Sequence, residues 1–264
     1  MSYLVDTHCH LDVKHSPAEL EDLISRAVDA GVSKMLWVGI DPEGTERAVD
    51  AASIYGAIYA SVGVHPHDAD KYTPEVGARF RQLASNPKVA GIGETGLDFY
   101  RDYSPRDAQH KAFRAQCEIA CDTGLPLIIH SRNAPEETWD IVSEYLPRGL
   151  KGAFHCYAYD TNYSKRVLNA GFYISINGIL TYPKSEAMRR MVAMLPVDRL
   201  LLETDAPFLL PQKYRHKDNE PAFMVEAFKK AVEILSADPE ELMEQFRINS
   251  EKCFPRMANG GESL

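Results

Sequence analysis

Eight short apolar segments, alternating with stretches of helical periodicity, constrain this chain more than any other feature. The segments lie at residues 3–5, 34–40, 58–64, 89–94, 125–130, 152–155, 172–176 and 200–203. Helical stretches fall between them at 17–30, 45–55, 74–85, 105–123, 135–145, 162–170 and 185–195, and a pair at 220–235 and 239–250 closes the chain. Several segments are apolar at consecutive positions, as in Leu127-Ile-Ile129, the pattern of parallel strands buried on both faces. Pro17, Pro74, Pro105, Pro135 and Pro239 suit first helical turns, where no amide hydrogen is needed. Eight strand–helix units in roughly 250 residues predict an α/β fold of the TIM type, a closed (β/α)8 barrel. An open doubly wound sheet is the alternative. Nothing in the composition divides the chain, so one domain over residues 1–257 is expected, with a frayed tail at 258–264.

With 264 residues, 45% hydrophobic and 25% charged, the chain can bury a sizeable core. A formal net charge of −9 argues against wrapping nucleic acid over a broad basic surface, and leaves room for a basic rim at a cleft. Cys9, Cys117, Cys121, Cys156 and Cys253 show no zinc-finger spacing and read as reduced thiols of a cytoplasmic protein. Asp6 interrupts the apolar start, and no apolar run approaches the ~18 residues of a membrane span, so neither signal peptide nor membrane contact is expected. No obligate protein partner is readable.

Metal-capable residues fall where five of the segments end. His8 and His10, spaced i, i+2, share a face only in a strand. Glu94, His130, His155 and Asp205 end the fourth, fifth, sixth and eighth segments. The carboxyl ends of barrel strands are where such enzymes place their chemistry. Polar groups converging there need compensation for lost water, which divalent cations provide; a purely hydrogen-bonded polar cluster is the bland alternative. Six ligands exceed one tetrahedral zinc and suit two ions. His8, His10 and Asp205 would hold one, His130 and His155 the other, with Glu94 bridging. A hydroxide shared by the ions is then the nucleophile, and Asp205 takes its proton.

Alternation predicts that Asp6 and Glu203 lie one layer beneath His8 and Asp205, either orienting an imidazole or satisfied by backbone groups. Arg132, two after His130, faces the mouth and suits a phosphate, or else a loop carboxylate. His65, in Gly63-Val-His-Pro-His67, is expected at the rim against substrate rather than as a ligand. Aromatic and basic residues mix in Tyr100-Arg-Asp-Tyr-Ser-Pro-Arg106 and in Lys213-Tyr-Arg-His-Lys217, a composition suited to single-stranded nucleic acid.

These residues resemble the TatD-type metal-dependent deoxyribonucleases of the amidohydrolase superfamily over roughly residues 3–254. The matching runs are Val5-Asp-Thr-His-Cys-His-Leu-Asp12, Gly63-Val-His-Pro-His67, Gly93-Glu-Thr-Gly-Leu-Asp-Phe-Tyr100, Leu127-Ile-Ile-His-Ser-Arg132, Phe154-His-Cys156, Gly171-Phe-Tyr-Ile-Ser175, Leu202-Glu-Thr-Asp-Ala-Pro207 and Asn219-Glu-Pro221. The likeness implies a TIM-type barrel, a divalent-metal pair (zinc, manganese or magnesium) and exonucleolytic hydrolysis of DNA. It carries over the same six ligands, with Glu94 where many of the superfamily use a modified lysine. Tyr157-Ala-Tyr-Asp160, Arg132-Asn-Ala134, Arg215-His-Lys-Asp218 and Asn249-Ser250 depart from the family pattern. None is a ligand, so they bear on substrate rather than on metal hydrolysis. The expected activity is 3′-exonucleolytic cleavage of single-stranded DNA. A carboxyl-ester or amide hydrolase, such as an aminoacyl-tRNA deacylase, is the alternative on the same metals.

Overall fold

The computed structural model describes residues 2–11 and 17–258. Asp12 of the first motif and all of the expected tail except Ala258 lie outside the described residues. Eight strands form one sheet in the order in which they occur: β1 (Leu4–Cys9), β2 (Val32–Trp37), β3 (Ile58–Val62), β4 (Val89–Asp98), β5 (Leu127–Arg132), β6 (Gly152–Phe154), β7 (Tyr173–Ile176) and β8 (Leu200–Leu202). Each neighbouring pair is parallel. The seam closes just past β8, where His10 N donates to Ala206 O at 2.7 Å and Asp205 N donates to His8 O at 2.8 Å. Closure in sequential order rules out the doubly wound sheet.

Helices α1 (Pro17–Asp29), α2 (Pro42–Ile54), α3 (Pro74–Leu83), α4 (Arg106–Thr123), α5 (Pro135–Tyr145), α6 (Thr161–Asn169) and α7 (Glu186–Val192) connect successive strands. Two more, α8 (Met224–Leu235) and α9 (Pro239–Cys253), follow β8. Prolines start several of them as expected, some directly behind a capping side chain. Pro74 follows a Thr73 cap and Pro239 an Asp238 cap, whose side chains take up free amide hydrogens of the first turn. Pro105 differs: it is the cap itself, and α4 begins at Arg106. The expected helix at 220–235 is split into a 3-10 turn at Pro221–Phe223 followed by α8.

Two apolar cores follow from strand alternation. Leu4, Met35, Ile58 and Leu127 point outward to the helices. Val5, Leu36, Tyr59, Ile128, Ala153 and Leu201 fill the barrel interior, and Phe254 and Met257 close it from beneath. Val5 sits in the interior although His8 also points inward, so β1 does not alternate strictly; its pairing with β2 shifts register between Asp6 and Cys9. Among the described residues, no helix is long and apolar enough to cross a membrane. All five cysteines are free.

Candidate metal centre

At the carboxyl end of the barrel, the side chains converge on the carboxylate of Glu94. Its Oε2 lies 3.2 Å from His8 Nε2 and 3.5 Å from His10 Nε2. Its Oε1 lies 2.8 Å from His130 Nδ1, 2.8 Å from His155 Nε2 and 3.4 Å from His65 Nε2. Asp205 Oδ1 completes the first side, 3.5 Å from His10 Nε2 and 3.7 Å from His8 Nε2. One carboxylate thus faces a separate histidine group with each oxygen.

The six residues expected as ligands therefore meet, but their grouping is less tidy than strand order suggests. His155 stacks on His8 across the barrel with ring centroids 4.0 Å apart, so His8, His155 and Asp205 form one possible donor group. His8, His10 and Glu94 form a second, and His65, Glu94 and His130 a third. His65 is placed deeper than the rim position expected of it. Its Nδ1 accepts from His67 N at 3.1 Å, in the turn Pro66–Lys71, and that bond aims Nε2 inward.

The donor chemistry fits divalent cations. The Nε2 atoms of His8 and His10 are 3.1 Å apart, and His130 Nδ1 and His155 Nε2 are also 3.1 Å apart. Each facing pair can share at most one hydrogen, and a Glu94 oxygen adds a further acceptor to each, so lone pairs are left opposed in a buried site. A bound cation would take up the facing lone pairs and carboxylate oxygens, and mixed imidazole and carboxylate ligands suit first-row divalent ions. His8, His10, Glu94 and Asp205 would hold one such ion, and Glu94, His130, His155 and His65 another.

Electrostatics tie the group together. Burial alone would raise the Glu94 carboxyl, yet the imidazoles of His155, His65 and His8 and the hydrogen bond to His130 hold it well below the usual range. Burial likewise opposes Asp205, and His10, His8 and His155 still bring it down. Burial pushes His65 down to about 4, so it is a neutral lone-pair donor at physiological pH.

Surrounding groups fix the imidazoles. Asp98 Oδ2 lies 3.2 Å from His130 Nε2 and 2.9 Å from His67 Nε2, which turns His130 Nδ1 toward Glu94. The apolar pattern ends the fourth segment at Glu94 and so does not mark Asp98, whereas β4 runs on to Asp98. Glu203 sits beneath Asp205 as expected. Its Oε1 accepts from Cys156 N and Asn177 Nδ2 at 2.8 and 3.0 Å and lies 3.7 Å from His155 Nδ1.

Asp6 departs from the layered arrangement. It turns to the seam, where Oδ1 accepts from His8 N at 3.2 Å and Thr204 N at 3.0 Å, and Oδ2 accepts from the Thr204 hydroxyl. It orients backbone rather than an imidazole, and burial pushes its carboxyl up to about 7. Asp6→Ala leaves those buried donors unpaired and is expected to cost about 2–4 kcal/mol of stability, read as a lower urea midpoint. Asp6→Asn keeps the Oδ1 bonds and is expected to retain most of that stability; equal midpoints for the two variants would refute this role.

Arg132 stacks its guanidinium on the exposed Tyr100 ring at 3.9 Å. Among the described residues it makes no ion pair, so the loop-carboxylate alternative does not hold.

A TIM barrel with buried imidazoles and carboxylates gathered at its carboxyl end defines a metal-dependent hydrolase. Residues 5–255 match the family model of TatD related DNases, and the chain belongs to that family. It is 35% identical over 251 residues to an uncharacterized metal-dependent hydrolase, YabD, of Bacillus subtilis, covering 95% of this chain and 98% of that protein. A relative in Erwinia tasmaniensis, named 3′-5′ ssDNA/RNA exonuclease TatD, is 34% identical over 240 residues, covering 89% and 93%. The crystal structure of YjjV, a TatD homologue from Escherichia coli, superposes with a TM-score of 0.90 at 27% identity, covering 96% of this chain and 98% of that one.

Proposed function

We propose that this hydrolase uses two divalent cations to cleave phosphodiester bonds in single-stranded DNA, working from the 3′ end. The observation that carries the reading is Glu94, whose two oxygens face separate histidine groups within 3.5 Å. Cations bound there would supply Lewis acidity toward a phosphoryl oxygen and an acidified water.

The chain's own residues do the rest. Asp205 accepts a proton from the attacking water at its carboxylate, which lies beside His8 and His10 and reaches the mouth. Arg132, without an ion pair among the described residues and lying over the Tyr100 ring, offers a planar fork to a phosphate. Tyr100 and Tyr103 are 55% and 66% exposed, which leaves ring faces for a base. Asp98 keeps His130 in one tautomer and orientation. The name of the Erwinia relative supports the same substrate class and direction.

The test is cleavage of a 5′-labelled single-stranded DNA by protein stripped of metal and reloaded with magnesium, manganese or zinc, beside His130→Ala. A descending ladder, absent in the variant and abolished by EDTA, is expected. No cleavage from a folded, metal-loaded sample would overturn the reading, and aminoacyl-tRNA and small esters would be assayed next.

A further inference from the structure

Beside the metal centre, the segments that follow β7 and β8 enclose a groove of about 540 Å³. Its walls include Tyr182, Lys184, Leu210, Gln212, Arg215 and His216, and among the described residues no carboxylate lines it. In a chain of net charge −9, such a patch is a local reversal of sign. The structure also sorts the basic run at 213–217. Lys213 is engaged by Glu226 at 2.9 Å, and Lys217 lies over the Tyr214 and Phe223 rings. Arg215 and His216 instead line the groove together with Lys184. Neither Lys184 nor Arg215 has an ion pair among the described residues, so their charge is free for an external anion.

The groove is built rather than loose. The Tyr182 hydroxyl donates to Leu210 O at 2.9 Å, and Gln212 N donates to the Thr181 hydroxyl at 2.8 Å, stapling one wall to the other. Arg189 Nη1 donates to Leu180 O and Tyr182 O at 3.0 and 2.7 Å. Tyr214 stacks on Phe223 with centroids 4.0 Å apart. One stretch of chain joins the groove to the site: Phe208, 52% exposed, packs its ring 6.1 Å from that of His10, and Leu210 of the wall follows two residues later.

A cavity of this size, with two free cations and one aromatic wall, is larger than one phosphate needs and suits a nucleotide with its flanking phosphates. We propose that it binds the sugar–phosphate backbone of single-stranded nucleic acid. It would hold the part of the strand 5′ of the scissile bond, which stays on the protein while the end is removed. The assignment of scissile bond and direction rests on the function proposed above; the binding site itself does not.

The test uses the metal-loaded protein and a fluorescein-labelled 12-mer with a phosphorothioate backbone, its anisotropy read on ice across a salt series. Each single-strand phosphate contact contributes roughly 0.7 to the slope of log affinity against log salt. Lys184→Gln/Arg215→Gln removes two contacts, so the slope should fall by about 1.4 and low-salt affinity by about tenfold. Both side chains are exposed, and a thermal melt checks that the variant folds. On a cleavable strand, KM for the 12-mer should rise about tenfold more than KM for a dinucleotide. Unchanged slope and affinity overturn the groove, whether or not the wild type cleaves DNA. Variant-dependent binding without cleavage by any metal keeps the groove and removes the nuclease reading. Absence of both removes the two together.

Discussion

Glu94→Gln is expected to lower turnover by about 10³-fold or more and to reduce bound metal by at least one equivalent. The amide matches the carboxylate in shape but has one oxygen instead of two. Whichever way it turns, its NH2 group faces either the His8 and His10 side or the His130, His155 and His65 side, where the Glu94 oxygens now lie 2.8–3.5 Å from the ring nitrogens. There it donates hydrogen bonds into the lone pairs that a cation needs. The substitution also removes the negative charge around which five imidazoles are packed. Elemental analysis of the purified variant reads the metal loss independently of catalysis. Wild-type metal content together with turnover within a few-fold of wild type would show that Glu94 does not bridge.

The barrel and most of the centre were legible because both rest on short-range regularities. Alternating apolar segments announce the strands; His155 reaches the mouth as the residue directly after β6, and His130 lies within β5, two residues short of its end. What escaped depends on geometry that periodicity does not encode. The glycine in Glu94-Thr-Gly-Leu-Asp98 marks close approach. A Cβ on Gly96 would lie 1.9 Å from His130 O, so glycine lets β4 press against β5 as far as Asp98. Had the strand been extended, Glu94, Gly96 and Asp98 would have shared a face and brought Asp98 into the site. His65 lies deeper than a rim position because it follows β3 and precedes Pro66, and only the turn that follows directs its ring inward. Asp6 was misjudged because the register shift in β1 breaks the alternation used to place it. The stacking of His8 on His155 joins strands far apart in sequence, and barrel closure alone creates it.

The same geometry separates the role of Asp205 from that of a mere structural ligand. Asp205 has φ +55°, a conformation that asparagine and aspartate tolerate and most side chains resist. Asp205→Asn therefore preserves the backbone that closes the seam through its N–H to His8 O, and the denaturation midpoint should stay close to wild type. It keeps one oxygen to face His8 and His10, but the amide cannot take a proton from water. Loss of a positioned base is worth about 10²–10⁴-fold, and that fall is expected in kcat with KM for single-stranded DNA changed far less. Asp205→Ala serves as the contrast, since alanine at this φ adds backbone strain and should lower the midpoint as well. If the asparagine variant turned over within about threefold of wild type, the proton would have to leave by another route. Glu94 would not supply that route, because its two oxygens face the histidines and its side chain is 3% exposed, against 12% for Asp205. In the proposed mechanism the group that takes the proton would have to reach both the ions and the water, and among the carboxylates gathered here the Asp205 side chain is the most exposed.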